Sequence, residues 1–229
     1  MSERPTRLEA IGRQLLADRV YQAIFASVVD GRLEAGSSIS IEGMARDLAV
    51  SPTPVREALA RMESTGMVLR VALKGYRVAP LFTKSDLAEL MDARLVIEPV
   101  NALRACQRST PELNKALEQA ISDLRIAPRG ASYAEFRHSW EADERFHGLI
   151  AEAGANKFIL AAYHSLGGQI QRFRYFSRLG ATDAVHAVKE HTSILEAFRA
   201  GDPEEARKAM VAHISGVRKR SIKDASQHE

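Results

Sequence analysis

At 229 residues, with 45% hydrophobic and 27% charged side chains, the chain has room for two domains and the composition of a folded protein with a buried core. No run approaches the roughly 18 apolar residues of a membrane span, and the start Met1-Ser2-Glu3-Arg4 lacks the apolar stretch of a signal peptide, so a cytoplasmic location is expected. The single cysteine, Cys106, excludes an internal disulfide and a CxxC metal site and reads as a small buried apolar residue, while a net charge of +3 and a pI near 9.1 permit nucleic-acid contact without requiring it.

Residues 15–29 predict a first helix with Leu16, Val20, Ile24 and Val28 on one face, ending at Gly31. Gly36 and the Ser-rich SSIS reset the chain before a short helix over 41–48, and Ser51-Pro52 opens a third that runs to about residue 65. Two short helices joined by a tight turn form a helix-turn-helix pattern. After Gly66, the apolar and β-branched runs of MVLRVALKGYRVAPL flank Lys74-Gly75, which predicts a small β-hairpin wing. Beyond Pro80 the strand signal stops and helical periodicity takes over, placing a domain boundary at 80–83. Six helices are expected, over 84–106, 110–126, 132–153, 156–178, 182–200 and 203–222. They are separated by Ser109-Thr110-Pro111, Pro128-Arg129-Gly130, Gly154, Gly180 and Gly201-Asp202-Pro203. Pro99 should kink the first of these, and the tail after Arg220 should fray. The fold class is therefore mostly α, a winged helix-turn-helix at 12–80 followed by an all-helical domain at 84–222.

In SPTPVREALARMESTGMV, Ser51 can act as N-cap with Pro52 and Pro54 in the first turn, where a missing N–H costs little. Val55, Leu59 and Met62 share a packing face, which leaves Ser51, Thr53 and Arg56 outward at the end of the helix that enters a DNA major groove. Hydroxyls there suit phosphates, and an arginine reaches phosphate or the guanine edge. Arg56 is the principal candidate, its alternative being an ion pair with a nearby carboxylate. The wing adds Arg70, Lys74, Gly75 and Arg77, although a plain surface hairpin would carry the same residues.

The words GRLEAG, ARDLAVSPTPVREALARMESTGMV and GYRVAP occur in this order between residues 15 and 81, and the region resembles the DNA-binding domain of the GntR superfamily of bacterial regulators. Where that family commonly has an operator-contacting arginine this chain has Pro52, a departure that implies a shifted operator preference.

Of seven histidines, three occupy helical positions where an apolar residue is expected. Asp143 and His147 lie one turn apart on a face with Trp140 and Ile150; His191 shares a face with Val188, Ile194, Leu195 and Phe198; His213 lies with Ala209, Met210 and Val217. His138 and His186 fall on polar faces, His228 is in the tail, and His164 is ambiguous. Three inward imidazoles and a carboxylate suit one divalent metal, with zinc ahead of nickel and manganese, and a metal-free buried polar network is the alternative.

The same residues lie in DERFHGLI and EHTSILEAFRAGDPEEARKAMVAH, and the second half resembles the FCD ligand-binding domain of the FadR-like branch of that superfamily, in its six-helix variety. The resemblance implies an antiparallel helical bundle with a metal on Asp143, His147, His191 and His213, beside a pocket for a small organic acid. A guanidinium would complete a carboxylate clamp there, with Arg94 in ARLVIEP and Arg172 or Arg174 in QRFRYF as candidates against ordinary ion pairing. The function implied is a one-component repressor, a homodimer on double-stranded operator DNA whose affinity follows a carboxylate effector. Two other readings are a regulator for which the metal itself is the signal and a metal-dependent hydrolase. Against the hydrolase, no inward glutamate or second carboxylate stands out as a general base.

Overall fold

Apolar side chains at helical spacing bury one face of α1 (Arg7–Val29), namely Ala17, Val20, Ile24, Phe25 and Val28, and Gly31 at φ +74° ends it. Leu16, expected on this face, is 39% exposed, because Ala17 takes the position one turn before Val20 and Leu16 is left at the rim. The computed structural model describes residues 7–72, 75–128, 132–176 and 180–226, and its contacts divide the chain into two units, Met1–Leu81 and Phe82–Glu229.

In the first unit α2 (Ile41–Asp47) starts where the Ser40 hydroxyl accepts the Gly43 N–H at 3.0 Å. Ala49, at φ +52°, makes the tight turn into α3 (Pro52–Ser64). Val55, Ala58, Leu59 and Met62 are buried on one side of α3. Arg61 clamps it to α1, 2.5 Å from Asp18 Oδ1 and 4.5 Å over the Tyr21 ring. The wing is a hairpin of β2 (Val68–Val71) and β3 (Gly75–Val78), with Val71 opposite Gly75. A strand not expected from the sequence, β1 (Ser38–Ile39), pairs antiparallel with the other edge of β3, so the sheet order is β1-β3-β2. Two residues in SSIS are too few for an alternating pattern to register.

The second unit holds α4 (Lys84–Cys106), α5 (Pro111–Ile126), α6 (Tyr133–Ala153), α7 (Lys157–Phe176), α8 (Gly180–Ala200) and α9 (Pro203–Ala225). Their starts follow from caps. Thr83 and Asp86 form a reciprocal box, while Thr110 and Asp202 each precede a proline in the first helical turn and accept a backbone N–H. α4 runs unbroken through Pro99 and packs on α9 and α6, while α5 packs on α6 and α8. The shared core includes Met91, Phe146, Phe173, Ile194, Phe198 and Ile214, with Cys106 buried in it. Among the described residues no helix is long and apolar enough to cross a membrane.

Candidate metal centre and nucleic-acid interface

Ser51 occupies the N-cap position of α3 at φ −72° and ψ 161°, but its hydroxyl makes no cap hydrogen bond, contrary to the expectation. The reason lies in the next residues, because Pro52 and Pro54 have no N–H and Thr53 alone remains as a donor in the first three positions. The Ser51 side chain, Thr53 and Arg56 are all exposed at this end of the helix. Arg56 comes within 3.5 Å of Glu42 Oε1, yet the two side chains are 61% and 64% exposed, so this pair contributes little and leaves the guanidinium open to solvent.

A concavity of about 740 Å³ lies between α3 and the wing, lined in part by Arg56, Ala60, Arg70, Gly75 and Tyr76. Strand register puts Arg70 opposite Tyr76, on this side, and Leu69 opposite Arg77 on the other. Gly75 has φ +85°, a conformation that a side chain would strain. Lys74 lies outside the described residues.

In the second unit, α6 supplies Asp143 and His147, α8 His191 and α9 His213, and all four are buried. One ring nitrogen from each histidine lies within 4.8 Å of the others, and Asp143 Oδ1 is 3.7 Å from His191 Nε2. Asp143 Oδ1, His213 Nε2 and both nitrogens of His147 and His191 make no hydrogen bond among the described residues. Leaving such atoms dry and unpartnered costs about 1–3 kcal/mol each. Nitrogens bound tetrahedrally to one zinc at about 2.0–2.1 Å are about 3.4 Å apart, so a metal would close separations of up to 4.8 Å by at most about 1.4 Å. The protonation states fit too. Burial, then the neighbouring His213 and His147, push His191 well below the ordinary imidazole value; burial, then His147 and Arg94, do the same to His213. Both rings are thus neutral near pH 7, as ligands must be. Burial opposes the charge on Asp143, but Arg174 together with the three neighbouring histidines outweighs it and holds the carboxyl below the usual carboxylate range.

Two carboxylates missed in the sequence stand behind the histidines. Glu98 is only 3% exposed on α4, which corrects the expectation that no inward glutamate is present. Its Oε2 lies 2.6 Å from His147 Nδ1, and Arg94 Nε meets Oε1 at 2.5 Å. Burial opposes the charge on Glu98, and the Arg94 guanidinium and His147 together overcome it, holding the carboxyl below its ordinary range. On α8, Glu190 Oε2 accepts from His213 Nδ1 at 2.8 Å and from Arg220 Nη2 at 3.0 Å, while Arg220 Nη1 reaches Oε1 at 2.7 Å. Arg220 Nε also donates to Asp183. Among the described residues no carboxylate is hydrogen-bonded to His191, and its ring stacks on Phe146 with centroids 4.0 Å apart.

The three candidate clamp arginines lie in different settings. Arg94 is 1% exposed and engaged with Glu98; Arg172 sits 4.0 Å over the Phe82 ring. Arg174 lies beside the histidine cluster, its Nη2 2.8 Å from Asp143 Oδ2 and its Nη1 3.9 Å from Asp183 Oδ2. It lines a cavity of about 30 Å³ with Ser139, Trp140, Asp143, Phe173 and Asp183, and the Trp140 Nε1 donor has no hydrogen-bond partner among the described residues. His138, His164 and His186 are exposed, and His228 lies outside the described residues.

Residues 16–78 match the family model "Bacterial regulatory proteins, gntR family", and residues 89–216 match "FCD domain". The chain is 30% identical over 240 residues to the "Putative L-lactate dehydrogenase operon regulatory protein" of Escherichia coli strain K12, covering 93% of this chain and 90% of that protein. It is 27% identical over 205 residues to the "Probable D-xylose utilization operon transcriptional repressor" of Paenarthrobacter nicotinovorans, covering 89% and 87%. The solved structure of E. coli McbR/YncC shares the fold at a TM-score of 0.69 and 18% identity, over 93% of this chain and 99% of that one.

Proposed function

We propose that this chain, which belongs to the gntR family of bacterial regulatory proteins and carries an FCD domain, binds operator DNA through α3 and the wing under the control of a small organic anion held beside a divalent metal. It is a transcriptional regulator and not an enzyme. One observation carries the sensory half of the reading. Three histidines and Asp143, from three helices, bring close together buried atoms that have no hydrogen-bond partner among the described residues. A metal on Asp143, His147, His191 and His213 would satisfy these atoms and, with positions left open, accept an anionic oxygen. Zinc is the first candidate, ahead of nickel and manganese.

Arg174 is the best placed of the three arginines to hold the anion, being at the cavity and next to Asp143. The cavity of about 30 Å³ holds roughly one water, so an organic acid would enter by drawing the Arg174 guanidinium off Asp143. The operon named for the E. coli relative makes L-lactate a sensible first probe. Fluorescence anisotropy on a promoter fragment that the protein protects, with zinc present and L-lactate or citrate added, tests the reading. A change in affinity with the acid supports it. A change with zinc alone and none with any acid would make the metal the signal.

On the same fragment Arg56→Ala should weaken binding about 10- to 100-fold, the scale of a lost arginine–base contact of about 1–3 kcal/mol, with unchanged helical content. Wild-type affinity at several salt concentrations would remove Arg56 from the interface. One helix-turn-helix per chain gains affinity on an inverted repeat by two-fold assembly, so we expect a homodimer with a light-scattering mass of twice 25.2 kDa. A monomer both free and on DNA would contradict that expectation.

A further inference from the structure

Gly216 sits in the middle of α9, where glycine weakens a helix, and it has an ordinary helical backbone that does not call for glycine. What it provides is space. A Cβ built there would come within 2.8 Å of both Arg220 Nη1 and Glu190 Oε1, the two atoms of one ion pair. The same Glu190 accepts from His213 Nδ1, three residues before Gly216 on the same helix.

We infer that Gly216, Arg220 and Glu190 form a positioning unit that fixes His213 as a metal ligand through Nε2, an inference that rests on the metal reading above. The geometry works in one direction. Arg220 donates to both Glu190 oxygens and, through Nε, to Asp183, so the carboxylate is held between α8 and α9 with its Oε2 on the imidazole. A carboxylate only accepts, so the His213 proton is placed on Nδ1 and the lone pair on Nε2, the nitrogen that turns toward His147 and His191 without a hydrogen-bond partner. Such a partner also raises the basicity of the ligating nitrogen. Arg94 and Glu98 stand in a similar place behind His147, with Glu98 Oε2 2.6 Å from Nδ1. There, however, neither ring nitrogen makes a hydrogen bond among the described residues, so the carboxylate–imidazole bond of the Glu190 unit belongs to His213. His191 stacks on Phe146.

The test uses the full chain, stripped of metal and titrated with zinc against a chromophoric chelator, with cobalt(II) as a spectroscopic probe of the ligand field. Glu190→Gln must turn an amide N–H toward an Arg220 donor or toward the His213 proton, and it should lower zinc affinity about 10- to 100-fold. Gly216→Ala keeps every charge and improves helix propensity. It should also weaken zinc about 10-fold or more and shift the cobalt absorption, while the metal-free protein melts at or above the wild-type temperature. A unit that merely joined two helices would show the reverse, a lower melting temperature and an unchanged zinc affinity. Wild-type zinc affinity and cobalt spectrum in both variants would overturn the inference while leaving the metal reading intact. A wild-type protein that binds neither ion would overturn both.

Discussion

Arg94→Met should destabilise the metal-free second unit by about 3–5 kcal/mol, the cost of leaving one member of a buried ion pair without its partner. The guanidinium is 1% exposed and meets Glu98 at 2.5 and 3.4 Å, with the Met91 sulfur 3.8 Å from it on the other side. Methionine fills much of the same volume but leaves the buried Glu98 charge without its guanidinium, with the His147 ring still 2.6 Å from Oε2. The chain's single tryptophan, Trp140, lies in the second unit, so urea unfolding followed by its fluorescence reads the correct transition. Adding Glu98→Gln removes the stranded charge and should recover part of the loss, a coupling that a double-mutant cycle measures directly. A cost under about 1 kcal/mol, or strict additivity of the two changes, would show that the pair does not hold the bundle together. The experiment also separates two roles for Arg94, since unfolding without any anion reads its bond to Glu98 and an anion titration reads a contact with effector.

Much of the second unit was legible because its punctuation is local. Thr110-Pro111 and Asp202-Pro203 each combine an N-cap with a proline that tolerates the first turn, and the observed helices begin there. The four ligand-type residues were legible for a related reason, as polar side chains that interrupt apolar faces at helical spacing. Glu190 and Glu98 were not. An acidic residue on a helix ordinarily faces solvent, and what gives these two a partner is the meeting of α8 with α9 and of α4 with α6, contacts far apart in sequence. A signal for Glu98 did exist in the inward run Leu87, Met91, Arg94 and Glu98, in which the last two are spaced for a helical ion pair. In the first unit β1 escaped because it consists of two residues, and the free Ser51 hydroxyl escaped because the cap rule assumes N–H donors that Pro52 and Pro54 lack.

Zinc should raise the melting temperature of the metal-free chain by about 5–10 °C when present at 100 times its dissociation constant. A ligand that binds only the folded state contributes about 2.7 kcal/mol at that excess, and about 2–4 °C accompanies each kcal/mol in a chain of this size. The proposed ligands come from α6, α8 and α9, so an ion bound there would join three helices whose facing polar atoms otherwise have no hydrogen-bond partner among the described residues. A chelator should reverse the shift. His213→Ala should abolish most of it, because the loss of one of three imidazoles removes both a ligand and the atom that Glu190 supports. The variant should still bind DNA without effector, since α3 and the wing belong to the other unit. Protein purified without an affinity tag gives the decisive measurement by elemental analysis and thermal melts. Absence of bound metal, together with no stabilisation by zinc, nickel or manganese, would reduce the cluster to a buried polar network and leave Arg174 as the remaining anchor for an anion.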